Sequence, residues 1–298
     1  MLEKKDEFEK YLSEIIDYVN LTLTKILPND NSDISKCMRY SVLSGGKRLR
    51  PALVILSAEI FGAKASDVIY AACAVEYIHT YSLIHDDLPS MDNDDLRRGI
   101  PSSHKKFGEA LAILCGDALL TESFNLITKS NSSEKNINEA IKILANYSGY
   151  KWMILGQSND IAKYNVFDKK ILKKKLRMIY IQKTAALIIA SLKIGAVLVG
   201  VNKKNLEVLK NYGMNIGMAF QIIDDIFDAR FDNKLQNIKN VQIGRKLTTF
   251  SLYNIHEAKR NAEKYIAKAK KNIRIFGKKS DMFIKFVDYI FSKNIVDY

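Results

Sequence analysis

A dense group of carboxylates lies near position 90 of this 298-residue chain, in the segment HDDLPSMDNDDLRRG. Asp86, Asp87 and Asp92 bring three oxygen-bearing side chains close together in the sequence, and Arg97 and Arg98 follow them. Hard oxygen ligands in small number, with coordination places left for water and phosphate, suit Mg²⁺. An exposed acidic helix end is the ordinary alternative for one such cluster taken alone.

A second cluster, QIIDDIFDAR, places Asp224, Asp225 and Asp228 inside a strongly helical pattern. Asp224 and Asp228 are four residues apart, so both side chains project from one face of a helix. Two carboxylates on one face repel each other unless a cation lies between them. Because two such clusters occur in one chain, each at or near the end of a long apolar helix, the pattern favours a metal site over chance.

Cations suited to phosphate precede the first cluster. The segment GGKRLRP (residues 45–51) contains Lys47 and Arg50 and places two flexible glycines just before a helix start. Backbone amides, cationic side chains and the positive end of a helix can together surround a diphosphate. His79 lies two helical turns before Asp86 and so on the same face, as a candidate phosphate donor. A basic surface turn and an ordinary core histidine are the alternatives.

Three polar residues of the second half complete the candidate set. Lys183 and Thr184 open an apolar stretch and offer a cation and a hydroxyl group. Gln221 precedes Asp224 by three residues, so the two share a helical face.

The positive charge is concentrated in the second half of the chain. The formal net charge is +13, and residues 163–298 hold 28 Lys and Arg against 11 Asp and Glu, a net charge of +17. Such an excess raises the possibility of nucleic-acid binding. Most of these residues are lysines spread along amphipathic helical patterns, so we expect a solvated surface.

The sequence also bears on compartment and membrane. Cys37, Cys73 and Cys115 have no metal-binding or disulfide spacing, which is typical of a reducing cytoplasm. The first residues lack the apolar run of a secretory signal. One apolar stretch, 184–201, is nearly long enough to span a bilayer, but it carries Lys193 at its middle. We therefore expect a buried core helix and no membrane span, and we see no second candidate.

The elements that must position these residues are helices. Apolar residues recur at steps of three and four, all four prolines precede residue 102, and no turn typical of a β-hairpin is evident, so the fold class is all-α. Ser66 is the expected N-cap of the helix that leads to the first cluster. The predicted helices are 3–26, 33–44, 51–62, 66–88, 108–129, 133–148, 150–162, 168–200 (broken near its middle), 203–229, 248–272 and 280–293. The predicted loops are 45–50, 89–107 and 230–247.

Five segments occur here in the order found in the trans-isoprenyl diphosphate synthases: GGKRLRP, EYIHTYSLIHDDLPSMDNDDLRRG, GEALAILCGDALL, QKTAALI and FQIIDDIFD. The chain resembles that family over roughly residues 35–260 and is most similar to its bacterial farnesyl diphosphate synthases. The resemblance implies a single prenyltransferase domain over residues 1–298, an all-helical bundle with a deep central cavity, and a cytoplasmic homodimer. The two aspartate motifs would face each other across the cavity mouth and hold three Mg²⁺ ions with substrate bound.

The resemblance also assigns roles to residues of this chain. The implied metal ligands are Asp86, Asp87, Asp92, Asp224, Asp225 and Asp228. The implied isopentenyl diphosphate site consists of Lys47, Arg50, His79 and Arg98. The implied allylic diphosphate site consists of Arg97, Lys183, Thr184, Gln221 and Lys246. The residues implied to be catalytic are Lys183, Arg97, Asp86 and Asp224.

The implied reaction is Mg²⁺-dependent condensation of dimethylallyl and then geranyl diphosphate with isopentenyl diphosphate, giving (2E,6E)-farnesyl diphosphate. Tyr81 would limit the chain length, because it lies about a turn and a half below the metal ligands on the same helix. The alternative for Tyr81 is that it packs in the core without touching the product. The alternative for the activity is a geranylgeranyl diphosphate synthase. The loop after Asp228 lacks the family's glycines, so Lys239, Arg245 and Lys246 remain alternative cations for covering the diphosphate.

Three further classes of function compete with this interpretation. A terpene cyclase would not need a second diphosphate site such as Lys47, Arg50 and His79 offer. A non-catalytic subunit of a prenyltransferase heteromer would have lost aspartates that this chain keeps. A helical nucleic-acid binder would leave both aspartate clusters without a role, and we expect no nucleic-acid partner.

Overall fold

The computed structural model describes residues 7–162, 168–231 and 247–295. Within these residues the regular structure is helical apart from one small hairpin, which confirms the predicted all-α class. The chain divides into two compact units, one formed by Met1–Leu144 with Lys193–Val201 and the other by Ala145–Leu192 with Asn202–Tyr298. The single domain expected over residues 1–298 stays a prediction.

The helices and strands of the N-terminal half lead up to and follow the first aspartate cluster. They are α1 (Glu7–Ile26), α2 (Asp33–Leu43), α3 (Leu49–Glu59), α4 (Ala65–Asp86), β1 (Leu96–Arg97), β2 (Ile100–Pro101), α5 (Ser103–Phe107), α6 (Glu109–Thr128) and α7 (Glu134–Ser148). In the first unit α4 packs on α3 and α6, and its residues are almost continuously buried. A helix buried on nearly all sides explains why its sequence is apolar without a polar stripe.

The second unit carries the other cluster near the end of its longest helix. The remaining elements are α8 (Met153–Ile161), α9 (Lys169–Ile179), a π-helical segment (Tyr180–Ala185), α10 (Ala186–Leu198), α11 (Lys203–Phe231), a 3₁₀ turn (Thr249–Ser251), α12 (Ile255–Ile273), a second 3₁₀ segment (Arg274–Ser280) and α13 (Asp281–Ile295). The α11 helix packs along α12 and against the π-helical segment.

The predicted break in the 168–200 helix is the π-helical segment Tyr180–Ala185. Two glycines let neighbouring helices approach it: a Cβ on Gly156 of α8 would lie 2.3 Å from the Lys183 nitrogen, and one on Gly217 of α11 would lie 2.4 Å from the Ala185 Cβ. Real Cβ atoms do not approach so closely, so only glycine fits at these contacts. The π-helix is a local distortion often found at functional sites, and here it carries Lys183 and Thr184.

Three local expectations are corrected by the structure. The predicted loop 89–107 contains the hairpin and α5. The sequence does not predict the hairpin, because its turn is Arg98-Gly99 and not the usual Asn-Gly. Helix α4 begins at Ala65 with Lys64 as its N-cap residue, not Ser66, because Asp67 accepts a hydrogen bond from the Lys64 backbone N–H (2.9 Å). Helix α12 begins only at Ile255, where Asn254 caps it.

Within the part of the chain that the structure describes, two helices are long and apolar enough to cross a membrane by length and composition, Glu109–Thr128 and Lys169–Leu198. The expectation of a single candidate is therefore wrong. In the apolar window of Lys169–Leu198, 89% of the residues are buried, as in a core helix of a soluble protein. In Glu109–Thr128 the share is 39%, and Ile113 and Leu114 are exposed. The three cysteines are buried and free.

Candidate active site

The first aspartate cluster lies at the C-terminal end of α4. Asp86 is the last helical residue and Asp87 follows as the C-cap. The next residues fold back, since the Asp92 N–H donates to the Asp86 carbonyl (2.9 Å) and the Asn93 N–H to the Leu88 carbonyl (3.1 Å). This turn brings Asp92 back to the helix end despite the residues inserted between them. The C-terminus of a helix carries partial negative charge, so carboxylates gathered there are stabilised by a cation.

Within this cluster Asp87 is held by Arg97. The Arg97 Nε donates to both Asp87 oxygens at 3.0 and 3.2 Å, its Nη2 donates to Asp87 as well, and Nη2 also reaches Asp94 at 3.0 Å. Burial raises the pKa of Asp87, although the Arg97 hydrogen bonds act in the opposite direction. Asp86 is half-buried and Asp92 is exposed, so these two carboxylates differ from Asp87 in their access to solvent.

Arg98 connects the hairpin to the glycine-rich loop. Arg98 and Gly99 have φ of 55° and 79°, the left-handed pair of a two-residue hairpin turn. The Arg98 Nη1 donates to the Gly45 carbonyl and approaches Ser44 Oγ at 3.3 Å. Glycine is favoured at position 46 because its φ is 121°, and a Cβ there would also have to displace the Arg98 guanidinium, 2.8 Å away. Two segments of the predicted isopentenyl diphosphate site are thereby joined.

The three cations of the glycine-rich loop have different environments. Arg48 is buried and forms an ion pair with the equally buried Glu76 (2.6 Å), which gives it a structural role. Lys47 is exposed. Arg50 is half-buried, and its Nη1 lies 3.3 Å from His79 Nε2. Sequence spacing alone did not separate Arg48 from the other two.

His79 lies on α4 beside these guanidinium groups. Burial, followed by the positive charges of Arg50 and Arg98, lowers the pKa of His79 well below its usual value. The imidazole is therefore neutral at ordinary pH, and it can act toward an anion only as a hydrogen-bond donor. Since Arg50 donates to Nε2, we assign the ring proton to Nδ1.

Tyr81 lies two residues after His79 on α4 and is buried, with 6% of its surface exposed. Its ring packs edge-on against His85, with centroids 5.8 Å apart. Burial raises the pKa of Tyr81 to about 12, so the side chain stays a neutral phenol. Its predicted contact with the growing product stays a prediction.

In the second unit, Lys183 has a partner that the sequence did not indicate. Its Nζ donates to Asp160 Oδ2 at 2.7 Å, and the Asp160 side chain is only 7% exposed. Asp160 lies on α8, the helix whose Gly156 permits close contact with the π-helical segment. Its position in SNDIAK resembles an ordinary helix end, which is why no motif indicated it.

A chain of side-chain hydrogen bonds links the π-helical segment to the second aspartate cluster. Thr184 Oγ1 donates to Gln221 Oε1 (2.6 Å), and Gln221 Nε2 donates to Asp225 Oδ1 (3.1 Å). Thr184 and Gln221, predicted as one group, are therefore in contact. Gln221 lies one turn before Asp225 on α11, as the helical spacing requires.

Asp225 is buried and held by neutral donors. The Tyr180 hydroxyl and the Thr249 N–H (2.6 Å) both donate to Oδ2, and Tyr180 also contacts Thr249 Oγ1 at 2.9 Å. Burial raises the pKa of Asp225, against these hydrogen bonds. Asp224 is half-buried and Asp228 is exposed. Tyr180 and Thr249 were missed from sequence, because neither belongs to a charged motif.

The donor set of the two clusters fits Mg²⁺ better than a closed metal cage. In the ranges that the structure describes, no group of three His, Cys, Asp or Glu side chains converges on one point. Mg²⁺ is typically bound by one or two carboxylates together with water and substrate phosphate. Asp86 with Asp92, and Asp224 with Asp228, offer such partial sets. Lys239, Arg245 and Lys246 lie outside the described residues.

The chain is similar to curated proteins over most of its length. It is 37% identical to geranylgeranyl pyrophosphate synthase 4 of Arabidopsis thaliana, over 97% of this chain and 78% of that protein. It is 38% identical to the farnesyl diphosphate synthase of Bacillus subtilis (strain 168), over 88% of this chain and 89% of that protein.

Solved structures give the same result for the fold. An FPP/GFPP synthase from Zymomonas mobilis has a TM-score of 0.85 at 33% identity and covers 95% of this chain and 98% of its own. A geranyltransferase from Legionella pneumophila has a TM-score of 0.86 at 30% identity and covers 98% of both chains. The polyprenyl synthetase family model matches residues 31–288. With its aspartate clusters and helical fold, the chain therefore belongs to the polyprenyl synthetase family.

Proposed function

We propose that this prenyltransferase condenses dimethylallyl and then geranyl diphosphate with isopentenyl diphosphate, in a Mg²⁺-dependent reaction that yields (2E,6E)-farnesyl diphosphate. The observation that carries the proposal is the shared design of the two aspartate clusters. In each, one aspartate is buried and held by protein donors, while its neighbours reach solvent. Carboxylates with access to solvent can bind a cation and its phosphate ligand together.

The metal ligands in this proposal are Asp86 and Asp92 of the first unit and Asp224 and Asp228 of the second. Bound Mg²⁺ would supply positive charge that offsets the charge of the departing diphosphate. Asp87 and Asp225, also expected as ligands, act in this proposal by fixing their neighbours, because their oxygens already accept protein hydrogen bonds. Both carboxylate sets serve one reaction in one domain.

The allylic diphosphate is bound by Arg97, Lys183, Thr184 and Gln221. Arg97 and Lys183 are kept in place by Asp87 and Asp160. An ammonium group has three donors, so Lys183 can bind a phosphate oxygen while it keeps its bond to Asp160. Cations that are already oriented stabilise the charge of the leaving group without reorganising during the reaction.

Isopentenyl diphosphate is bound by Lys47, Arg50, His79 and Arg98. The left-handed turn at Arg98 and the contact of Arg50 with His79 hold these donors in fixed positions. Fixing the second substrate lets its double bond attack the allylic carbon as the carbon–oxygen bond breaks. The proton lost from the adduct passes to the released diphosphate, so no protein nucleophile is needed.

The chain length of the product is the finer part of the proposal. A buried Tyr81 on α4 supports a short product, whereas several relatives, including that from Arabidopsis thaliana, are named as geranylgeranyl synthases. Geranylgeranyl diphosphate is therefore the second candidate. Incubation with labelled isopentenyl and dimethylallyl diphosphates, with and without Mg²⁺, tests both. Farnesyl diphosphate is expected from the native protein and longer products from Tyr81→Ala. An unchanged product in that variant would reject the role of Tyr81.

We also propose a homodimer formed through α6. This helix exposes Ile113 and Leu114, at 44% and 57% of their surfaces, on a helix that is otherwise strongly apolar. Apolar side chains in such an exposed group are typical of a subunit interface. Ile113→Asp with Leu114→Asp is expected to give a monomer by light scattering. A dimer in that variant would contradict the assignment of this face.

A further inference from the structure

The second unit contains a cavity of about 410 Å³ whose rim is strongly cationic. We name it the basic cavity; its cations are Lys173, Lys174 and Arg177 of α9 and Lys264 and Lys268 of α12. None of the lining residues that the structure describes is acidic. The sequence alone indicates a solvated surface for the lysines of residues 163–298. The fold gathers five cations of that region, four of them lysines, around one cavity.

These five cations have no carboxylate partner in the described part of the chain. The contacts that two of them make are with aromatic rings: Lys173 Nζ lies 4.7 Å from the Tyr253 ring centroid, and Lys268 Nζ lies 5.6 Å from that of Tyr265. Like charges around one concave surface repel each other and raise the local concentration of anions. A ligand with more than one negative charge would relieve that repulsion.

The floor of the basic cavity is apolar. Leu176, Met218 and Ile222 line it, and each has 5% or less of its surface exposed. A cavity with an apolar floor and a few polar groups at one edge is the usual form of a small-molecule site. The arrangement matches a molecule with an apolar tail and an anionic head.

We propose that the basic cavity binds an amphiphilic phosphate, with its apolar tail on the floor and its phosphate or diphosphate group at the cationic rim. Among the described residues that line the cavity, none is one to which the proposed reaction assigns a substrate or a metal. Binding there is independent of the proposed function, whereas any effect on catalysis rests on it.

The structure also provides a route from the basic cavity to the second aspartate cluster. Tyr180 and Thr249 line the cavity, and both donate hydrogen bonds to Asp225. A ligand that displaces either donor changes how Asp225 is held. Asp224, the adjacent residue on α11, moves with it. Occupancy of the cavity therefore alters the affinity of the second cluster for Mg²⁺.

Calorimetric titration of the full chain with octyl phosphate tests the binding. Octyl phosphate has no allylic double bond and cannot be a substrate. The test variant is Lys264→Ala with Lys268→Ala, and the matched control is Arg260→Ala with Lys271→Ala, which removes the same charge from exposed positions of α12 outside the cavity. We expect affinity to fall about tenfold or more in the test variant, through lost charge-assisted contacts, and to change less than about twofold in the control.

Several results would overturn the binding proposal. No binding to the native protein, or an equal loss in the two variants, would remove the site. Equally tight binding of inorganic phosphate would show that the apolar tail is not recognised. Equally tight binding of octanol would show that the phosphate group is not recognised. Binding of ATP in place of octyl phosphate would reject the apolar tail in favour of a nucleotide.

The effect on catalysis has a separate readout. Octyl phosphate is expected to shift the Mg²⁺ concentration that gives half-maximal prenyl transfer by about fivefold in the native protein, and not in the test variant. Normal transfer without that shift would reject the coupling. Absence of transfer in every protein, including the control, would instead reject the proposed function, and the calorimetric result would still decide the binding.

Discussion

The two aspartate clusters have the same sequence pattern but hold their buried aspartate by different chemistry. Asp87 at the end of α4 is paired with a guanidinium, Arg97, that is itself one-third exposed. Asp225 within α11 is held by a tyrosine hydroxyl, a backbone N–H and an amide. The first cluster thus depends on a charge pair and the second on neutral donors. Two motifs with the same spacing of aspartates can therefore respond differently when the charge of the buried carboxylate is removed.

The largest effect is expected where the two clusters are alike. Asp86→Ala and Asp224→Ala each remove a carboxylate that reaches solvent, and each is expected to lower kcat by about 10²- to 10³-fold through lost charge stabilisation of the leaving group. Helical content by circular dichroism should stay unchanged. Asp95→Ala, which removes an exposed carboxylate paired with Lys105, is the matched control. Near-native activity in both test variants would contradict the metal assignment.

Substitution of the buried aspartate is expected to destabilise the two clusters to different extents. Asp87→Asn leaves Arg97 without its main partner, so the free energy of unfolding is expected to fall by about 2 kcal/mol. Asp225→Asn keeps a polar group among neutral donors and is expected to cost about 1 kcal/mol. Urea unfolding of both variants measures the difference. If Asp225→Asn proves the more destabilising, the contrast between charged and neutral anchoring is wrong.

A smaller effect is expected from Tyr180. Tyr180→Phe removes one donor to Asp225, and we expect a loss of about 1 kcal/mol in stability and a rise in the Mg²⁺ concentration for half-maximal activity. Tyr212→Phe is the control, because Tyr212 is also buried in the same unit and donates to the Phe283 carbonyl (2.8 Å), away from the cluster. Equal shifts in the Mg²⁺ requirement would mean that Tyr180 has only a structural role.

The smallest effect concerns pH in the first unit. The pKa of His79 is lowered in the folded protein, so the unfolded chain binds the proton more readily below its own value of about 6.5. The contribution of neutral His79 to the free energy of unfolding is fully present above pH about 6.5. It is lost as the pH falls from there toward the pKa of His79 in the folded protein. His79→Gln should therefore lose less stability than the native protein between pH 7.5 and 5.5, as measured by urea unfolding. Identical losses would show that His79 keeps an ordinary pKa.

The helices were predictable from sequence because apolar spacing and proline placement act locally. The break at Tyr180–Ala185 was foreseen only as a break, since its π-helical form depends on Gly156 and Gly217 of other helices. The hairpin at Arg98-Gly99 was missed, because a left-handed arginine is stabilised by its contacts with the glycine-rich loop.

Within the candidate site, charged residues in motifs were predictable and their partners were not. Asp160, Tyr180 and Thr249 come from segments distant in sequence, and only tertiary packing brings them to Lys183 and Asp225. The cluster of lysines at the basic cavity has the same origin. The lysines of α9 and α12 are spread along the sequence, but they line one cavity because both helices border it.

A double-mutant cycle on kcat distinguishes aspartate clusters that serve a single reaction from clusters that act separately. Residues that act on one leaving group are strongly non-additive. Asp86→Ala combined with Asp224→Ala should therefore lower the rate of prenyl transfer little beyond the more damaging single change. Losses that multiply in full would contradict the account, because they would mean that the two clusters contribute independently.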